Sequence, residues 1–123
     1  MSESTGGDHE AIDRDTIEAL LELGGDDGKA LLKELVDLFL ADSPPRLQAI
    51  EAAYVAGDAR TLERTAHALK SSCANLGAKH LADLCKKLEE AGRGGAVATA
   101  KELIDLSKSE FALVERALGD VCK

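Results

Sequence analysis

The chain has 123 residues, the size of a single domain, and 45% of them are hydrophobic while only 2% are aromatic. A core for such a chain is built from Leu, Ala, Val and Ile, which favours closely packed helices. The formal net charge of −8 argues against nucleic acid or a membrane surface as the main partner. No apolar run approaches the roughly 20 residues of a membrane span, and the first residues lack a signal-peptide pattern, so we expect a cytoplasmic protein.

The first part of the chain is a polar, Gly-rich stretch, residues 1–11, which we expect to be a flexible tail. A start at Met1 followed by such a tail favours a free-standing protein over a module of a larger kinase. A short helix is then predicted from about Asp13 or Asp15, and Gly24 and Gly25 end it. Its apolar side carries Ile17, Leu20 and Leu21.

A long second helix is predicted from Gly28 to Gly57, because apolar residues recur there at helical spacing. Pro44 and Pro45 remove two backbone donors within this segment. We therefore expect a kink or a break near residues 41–43, with Ser43 as a new N-cap.

Three further helices complete the prediction. The third follows the N-cap Asp58 and ends at Gly77, the fourth ends in the glycine-rich segment 92–95, and the fifth runs from about Ala96 to Val121. No segment shows the period-two alternation of strands. The short connections join antiparallel neighbours, so residues 12–123 are predicted to form an all-α, up-down antiparallel four-helix bundle with a short extra N-terminal helix.

The three cysteines, Cys73, Cys85 and Cys122, have none of the spacings that bind zinc or haem. We expect reduced thiols, with Cys73 and Cys85 buried as small hydrophobic residues. Neither His9 nor His80 has a second histidine or a cysteine at i+3 or i+4, so no metal site is predicted.

His67 is the residue with the strongest chemical signal. It points away from the apolar stripe of the third helix, so its imidazole is predicted to be exposed, with Lys70, Ser71 and Ala74 one to two turns further on the same side. Neutral imidazole is a competent nucleophile, and a nearby lysine can offset the charge of a phosphoryl group. His9 in the tail and His80 at the start of the fourth helix are predicted to be ordinary surface residues.

The charge distribution also singles out this helix. Residues 60–87 contain six basic and two acidic residues, a net charge of +4, which leaves −12 for the rest of the chain. A basic face around a histidine suits docking to an acidic active site.

The run from His67 to Ala78, HALKSSCANLGA, resembles the phosphoacceptor signature of histidine-containing phosphotransfer (HPt) domains, His-x-x-Lys-Gly-Ser/Ala. The following helix and the segments before the second and third helices are similar to that family as well. The resemblance spans roughly residues 12–118. Ser71 stands where the family usually has glycine, so its Cβ and Oγ occupy space that is usually left to the receiver.

The resemblance implies a phosphorelay intermediate. His67 would take a phosphoryl group from the phosphoaspartate of one receiver domain and give it to an aspartate of another, with Lys70 assisting. It implies response-regulator receivers and a hybrid sensor histidine kinase as partners, and no ATP hydrolysis. It also implies no cofactor on this chain, since Mg²⁺ binds to the receiver. We expect a monomer.

Glu89 is predicted to orient the imidazole, because Glu89 and His67 stand at similar distances from the Gly77 turn on antiparallel helices. The alternative is a solvated glutamate at the rim. Ser71 is a supporting residue of the same site. Candidate residues for receiver docking are Arg60, Arg64, Ala74, Ile17 and Leu21, with core packing as the favoured alternative for the last two.

Two other functions remain open. A non-catalytic helical adaptor would bind signalling proteins without chemistry at His67. A cofactor-binding bundle is disfavoured, because the sequence has no inward Glu-x-x-His pair and no haem attachment motif.

Overall fold

The computed structural model describes residues 10–123, which form five α-helices and no strand. The helices are α1 (Arg14–Leu23), α2 (Gly28–Ala56), α3 (Ala59–Asn75), α4 (Lys79–Arg93) and α5 (Ala100–Val121). Helices α2 to α5 pack in a ring, each against the next and α5 against α2, while α1 lies on α2. The predicted all-α bundle with a short leading helix is therefore confirmed. Residues 1–9, which include His9 and most of the expected tail, lie outside the described residues.

The core of the bundle is almost wholly aliphatic, as the composition predicts. Its fully buried large side chains are Ile50, Leu62, Leu69, Leu81, Leu88, Val114 and Leu118. Cys73 and Cys85 are buried among them as free thiols, as predicted. A hydrogen bond to Cys85, together with burial, raises the pKa of the Cys73 thiol, so this residue is held in its neutral form.

Helix α2 corrects one prediction, because it runs without a break through Pro44 and Pro45. Ser43 is not an N-cap: its side chain is buried, and its hydroxyl has no hydrogen-bond partner among the described residues. The buried stripe of α2 stays in helical phase across the prolines, from Phe39 through Ser43 to Leu47. Tertiary packing on this stripe therefore keeps the helix in one piece, while the prolines lie on its exposed side.

The helix ends largely follow the predicted signals. The Asp58 carboxylate accepts a hydrogen bond from the backbone N–H of Thr61, 3.1 Å away, and so caps α3. The fifth helix begins slightly later than predicted, at Ala100, because one turn of 3-10 helix, Val97–Thr99, precedes it. No helix within residues 10–123 is both long and apolar enough to cross a bilayer.

Gly77 joins the leading segment to the turn between α3 and α4. Its φ of 77° suits glycine, and a Cβ there would lie 2.9 Å from Cβ of Thr16. The Gly77 carbonyl accepts a 2.8 Å hydrogen bond from the N–H of Asp13, whose carboxylate pairs with Lys79 at 3.0 Å. The start of α1 is thus fixed against the pair of helices that carries His67.

Candidate functional site

His67 lies in the middle of α3, on the side opposite the core. The buried stripe of this helix is formed by Leu62, Ala66, Leu69 and Cys73. This stripe fixes the rotation of α3 against the bundle, so the His67 side chain is left 60% exposed to solvent. The imidazole is accessible to a second protein while its backbone is held rigidly by the core.

The carboxylate of Glu89, on the neighbouring helix α4, contacts the imidazole at Nδ1. Its Oε2 lies 2.9 Å from Nδ1 of His67, and its side chain is only 7% exposed. The matched register of the antiparallel helices α3 and α4 brings the two residues together, as the sequence analysis expected. A solvated position at the rim, the alternative for Glu89, is wrong.

Lys70 and Arg93 also donate hydrogen bonds to the Glu89 carboxylate. Lys70 Nζ lies 2.6 Å from Oε1, and Arg93 Nη2 lies 3.0 Å from Oε2. The pKa of Glu89 is lowered, chiefly by the hydrogen bond from Lys70 and further by that from His67, although burial opposes the shift. Glu89 is therefore an anion at neutral pH, and its carboxylate accepts a hydrogen bond from the Nδ1–H of His67.

This arrangement determines which ring nitrogen can react. When Nδ1 carries the proton and donates to Glu89, Nε2 keeps its lone pair and faces away from the carboxylate. An exposed Nε2 with a free lone pair is a nucleophile, and a carboxylate behind the ring stabilises the positive charge that the ring gains when Nε2 forms a bond.

Arg93 and its second partner, Glu63, were not predicted as site residues from the sequence. Arg93 Nε donates to Oε2 of Glu63 across 3.0 Å, and this ion pair raises the pKa of the guanidinium. Arg93 was assigned to the glycine-rich segment that ends the fourth helix, although α4 includes it. The available signal was spacing: Glu63 precedes His67 by four residues, and Arg93 follows Glu89 by four.

The candidate docking residues on α3 lie in two clefts, one on each side of His67. Arg60 and Arg64 line an open cleft beside the imidazole, together with Glu63 and Glu89. Ala74 lies on the other flank, in a shallow cleft between α3 and α4 that Lys70 and Lys86 also line. These four exposed or half-exposed cations and the small alanine therefore line two open clefts on α3 and α4.

Ser71 and the two residues of the leading helix complete the set. Ser71 is exposed, and its hydroxyl donates to the backbone carbonyl of His67, 3.2 Å away. Ile17 is only 6% exposed and belongs to the core, so its candidate docking role is wrong. Leu21 is half-buried and packs against the same core. Packing of α1 on the bundle accounts for both residues.

Comparison with known proteins agrees with this geometry. The family model for the Hpt domain matches residues 34–121. The chain is 37% identical to the crystal structure of histidine-containing phosphotransfer protein B (HptB) from Pseudomonas aeruginosa PAO1, with a TM-score of 0.82 over 91% of this chain and 94% of that one. The HPT domain from a sensor hybrid histidine kinase of Shewanella shares the fold, at 22% identity and a TM-score of 0.70 over 91% and 93% of the two chains.

A curated relative with a matching segment is sensor protein TorS of Escherichia coli (strain K12), which is 36% identical over 63 residues. That match covers 51% of this chain but only 7% of TorS, so it concerns one segment of a much longer protein. The family match covers most of the five-helix unit and includes both helices of the site. The chain therefore belongs to the Hpt domain family.

Proposed function

We propose that this chain is a phosphorelay intermediate that carries a phosphoryl group on Nε2 of His67. The observation that supports this most is the pairing of an exposed imidazole with a buried carboxylate, His67 Nδ1 to Glu89 Oε2 at 2.9 Å. Membership of the Hpt family supports a role in phosphotransfer. The identity of the acceptor atom and the direction of transfer are our proposal.

The proposed transfer is a simple displacement. The Nε2 lone pair of His67 attacks the phosphorus of a receiver's aspartyl phosphate, the bond from phosphorus to the carboxylate oxygen breaks, and the aspartate leaves as a carboxylate. The ring becomes a phosphoimidazolium whose Nδ1 proton stays on the hydrogen bond to Glu89. Lys70 donates a hydrogen bond to the same carboxylate, and its ammonium would help to offset the negative charge of the phosphoryl oxygens. The reverse step phosphorylates a second receiver.

The partners that we propose are receiver domains, one of them supplied by a hybrid sensor kinase. Arg60, Arg64 and Lys86 form no ion pair among the described residues, so their charge is available to an acidic partner surface. Mg²⁺ would be held by the acidic pocket of the receiver and not by this chain. The carrier would then need no nucleotide of its own.

The test is to incubate the purified chain with a phosphorylated receiver. We expect the label to move to the chain as acid-labile, base-stable phosphate, which is the signature of phosphohistidine. A helical adaptor, the alternative function, would bind the receiver without taking the label. Binding without transfer, in the presence of Mg²⁺ and over several receivers, would support the adaptor and contradict the proposal.

A further inference from the structure

Arg93 has a position that the proposed transfer does not by itself require. Its guanidinium bridges two carboxylates, Glu63 on α3 and Glu89 on α4, each at 3.0 Å. The oxygen of Glu89 that it contacts, Oε2, is the same atom that accepts the hydrogen bond from Nδ1–H of His67. The Arg93 side chain is itself 62% exposed, and these two ion pairs hold it in place.

The net charge around the Glu89 carboxylate affects both the protonation state and the orientation of the His67 ring. A bare buried carboxylate 2.9 Å from Nδ1 would favour the imidazolium form of the ring, and imidazolium has no lone pair on Nε2. A fully neutralised carboxylate would accept only a weaker hydrogen bond from Nδ1–H and would no longer fix the orientation of the ring. The groups that face His67 come from α3 and α4, and they are the cations Arg60, Arg64, Lys70 and Arg93 and the carboxylates Glu63 and Glu89.

We propose that Arg93 is a positioning residue. It allows Glu89 to hold the Nδ1–H of His67 while the ring stays neutral, so that Nε2 keeps its lone pair. Arg93 offsets part of the Glu89 charge through Oε2, and Glu63 in turn offsets part of the Arg93 charge. Glu63 therefore acts on the imidazole through Arg93, although it forms no hydrogen bond with the ring. The consequence for transfer rests on the proposed function, whereas the effect on the ring does not.

The experiment measures the protonation state of His67 in the full chain, from the NMR shifts of the two ring nitrogens at neutral pH. Arg93→Ala should raise the ratio of imidazolium to neutral ring by on the order of two- to five-fold, because one cation is lost beside Glu89. Glu63→Gln should lower the ratio, because it removes an opposing carboxylate. Arg93→Lys keeps the charge and should stay near the wild-type ratio. Arg116→Ala, an exposed arginine on α5, is the matched control and should change nothing.

The opposite signs separate this role from a purely structural one. If Arg93 and Glu63 only held α3 and α4 together, removing either would loosen the same contact and shift the ratio in the same direction. Shifts of the same sign, or no shift in either variant, would overturn the proposal. Should Arg93→Ala fail to fold, as judged by its melting curve, Glu63→Gln still decides, since an increased ratio contradicts the charge role.

A second measurement connects the ring to the chemistry. Phosphoramidate, a small phosphoryl donor that needs no receiver, should label Arg93→Ala more slowly than wild type at neutral pH and equally fast at alkaline pH. An equal deficit at every pH would contradict the charge role. If wild type accepts no phosphoryl group from any donor, the proposed function fails, while the NMR comparison still tests the role of Arg93.

Discussion

At the scale of the residue, Glu89 is the side chain on which the site depends most after His67 itself. Glu89→Gln keeps the size and one acceptor oxygen but removes the charge that, in the proposed transfer, stabilises the phosphoimidazolium ring. We expect phosphoramidate labelling to slow by about tenfold, the difference between a charged and a neutral hydrogen bond. Glu115→Gln, at an exposed position on α5, is the control and should label at the wild-type rate. Equal rates for both variants would mean that Glu89 has no part in the chemistry.

Ser71 is the second residue whose role can be isolated. Its hydroxyl is bonded back to the helix, so Ser71→Gly should not lose a phosphoryl contact, and it should cost about 0.5–1 kcal/mol of stability because glycine is a poor helix former. Transfer from a receiver should become somewhat faster, because the partner gains space one turn from His67.

Ser71→Gln gives the complementary result. We expect it to block transfer from a receiver while leaving labelling by phosphoramidate unchanged, since only the large partner needs that surface. Rapid transfer from the receiver to Ser71→Gln would show that the partner does not approach over this side of α3.

At the scale of the element, the close approach of α3 and α4 sets the geometry of the site. A Cβ at Gly92 would lie 2.7 Å from the backbone N of Glu63 and 2.8 Å from the carbonyl oxygen of Ala59, so Gly92→Ala has to push the helices apart. We expect it to lower the free energy of unfolding by about 1–3 kcal/mol, as overpacking does, and to slow labelling of His67. Gly94→Ala is the matched control, because its Cβ would meet only the Glu90 carbonyl oxygen at 3.5 Å. Similar losses in both variants would contradict this account.

Ser43 provides a test of how α2 is held in the bundle. Its buried hydroxyl has no partner among the described residues, so Ser43→Ala should stabilise the protein by about 1 kcal/mol. Ser107 is equally buried, but its hydroxyl donates to the Leu103 carbonyl at 2.7 Å. Ser107→Ala should therefore be neutral or destabilising, and chemical denaturation of the two variants measures the contrast. Destabilisation by Ser43→Ala would indicate that its hydroxyl has a partner in solution.

These elements also show where sequence patterns succeed and where they fail. Apolar periodicity and glycine stops predict five helices and their order, because each pattern depends on residues close in the chain. The alternative of a break near residues 41–43 and the N-cap at Ser43 were predicted wrongly, because the local effect of the prolines competes there with tertiary packing, and the packing is stronger. Gly92 was interpreted only as a helix end, since a close approach between helices leaves no local signal.

The candidate site, like the fold, could be predicted from the sequence only in part. His67 and Lys70 belong to one helix and one motif, and Glu89 follows from the register of two antiparallel helices. Arg93 and Glu63 require knowledge of which side chains meet across α3 and α4, which spacing alone suggests but does not single out. Ile17 lies on the apolar face of α1. The sequence does not show whether this face packs on the bundle or is exposed, and the structure shows that Ile17 is buried in the core.

At the scale of the whole molecule, charge separates the site from the rest of the surface. Residues 60–87 carry a net charge of +4 within a chain of net charge −8. Under the proposed function, the acidic remainder would repel an acidic receiver surface, and the basic residues of α3 and α4 would attract it. Arg60 and Arg64 line the cleft beside His67, so part of this positive charge lies next to the imidazole.

The central claim is that His67 carries the phosphoryl group, and His67→Gln tests it most directly. The variant should keep the helicity and melting temperature of the wild type, because the side chain is 60% exposed and contributes little to the core. It should take no label from a phosphorylated receiver, whereas His80→Gln should be labelled like the wild type. Retained acid-labile phosphate on a folded His67→Gln variant would contradict the account.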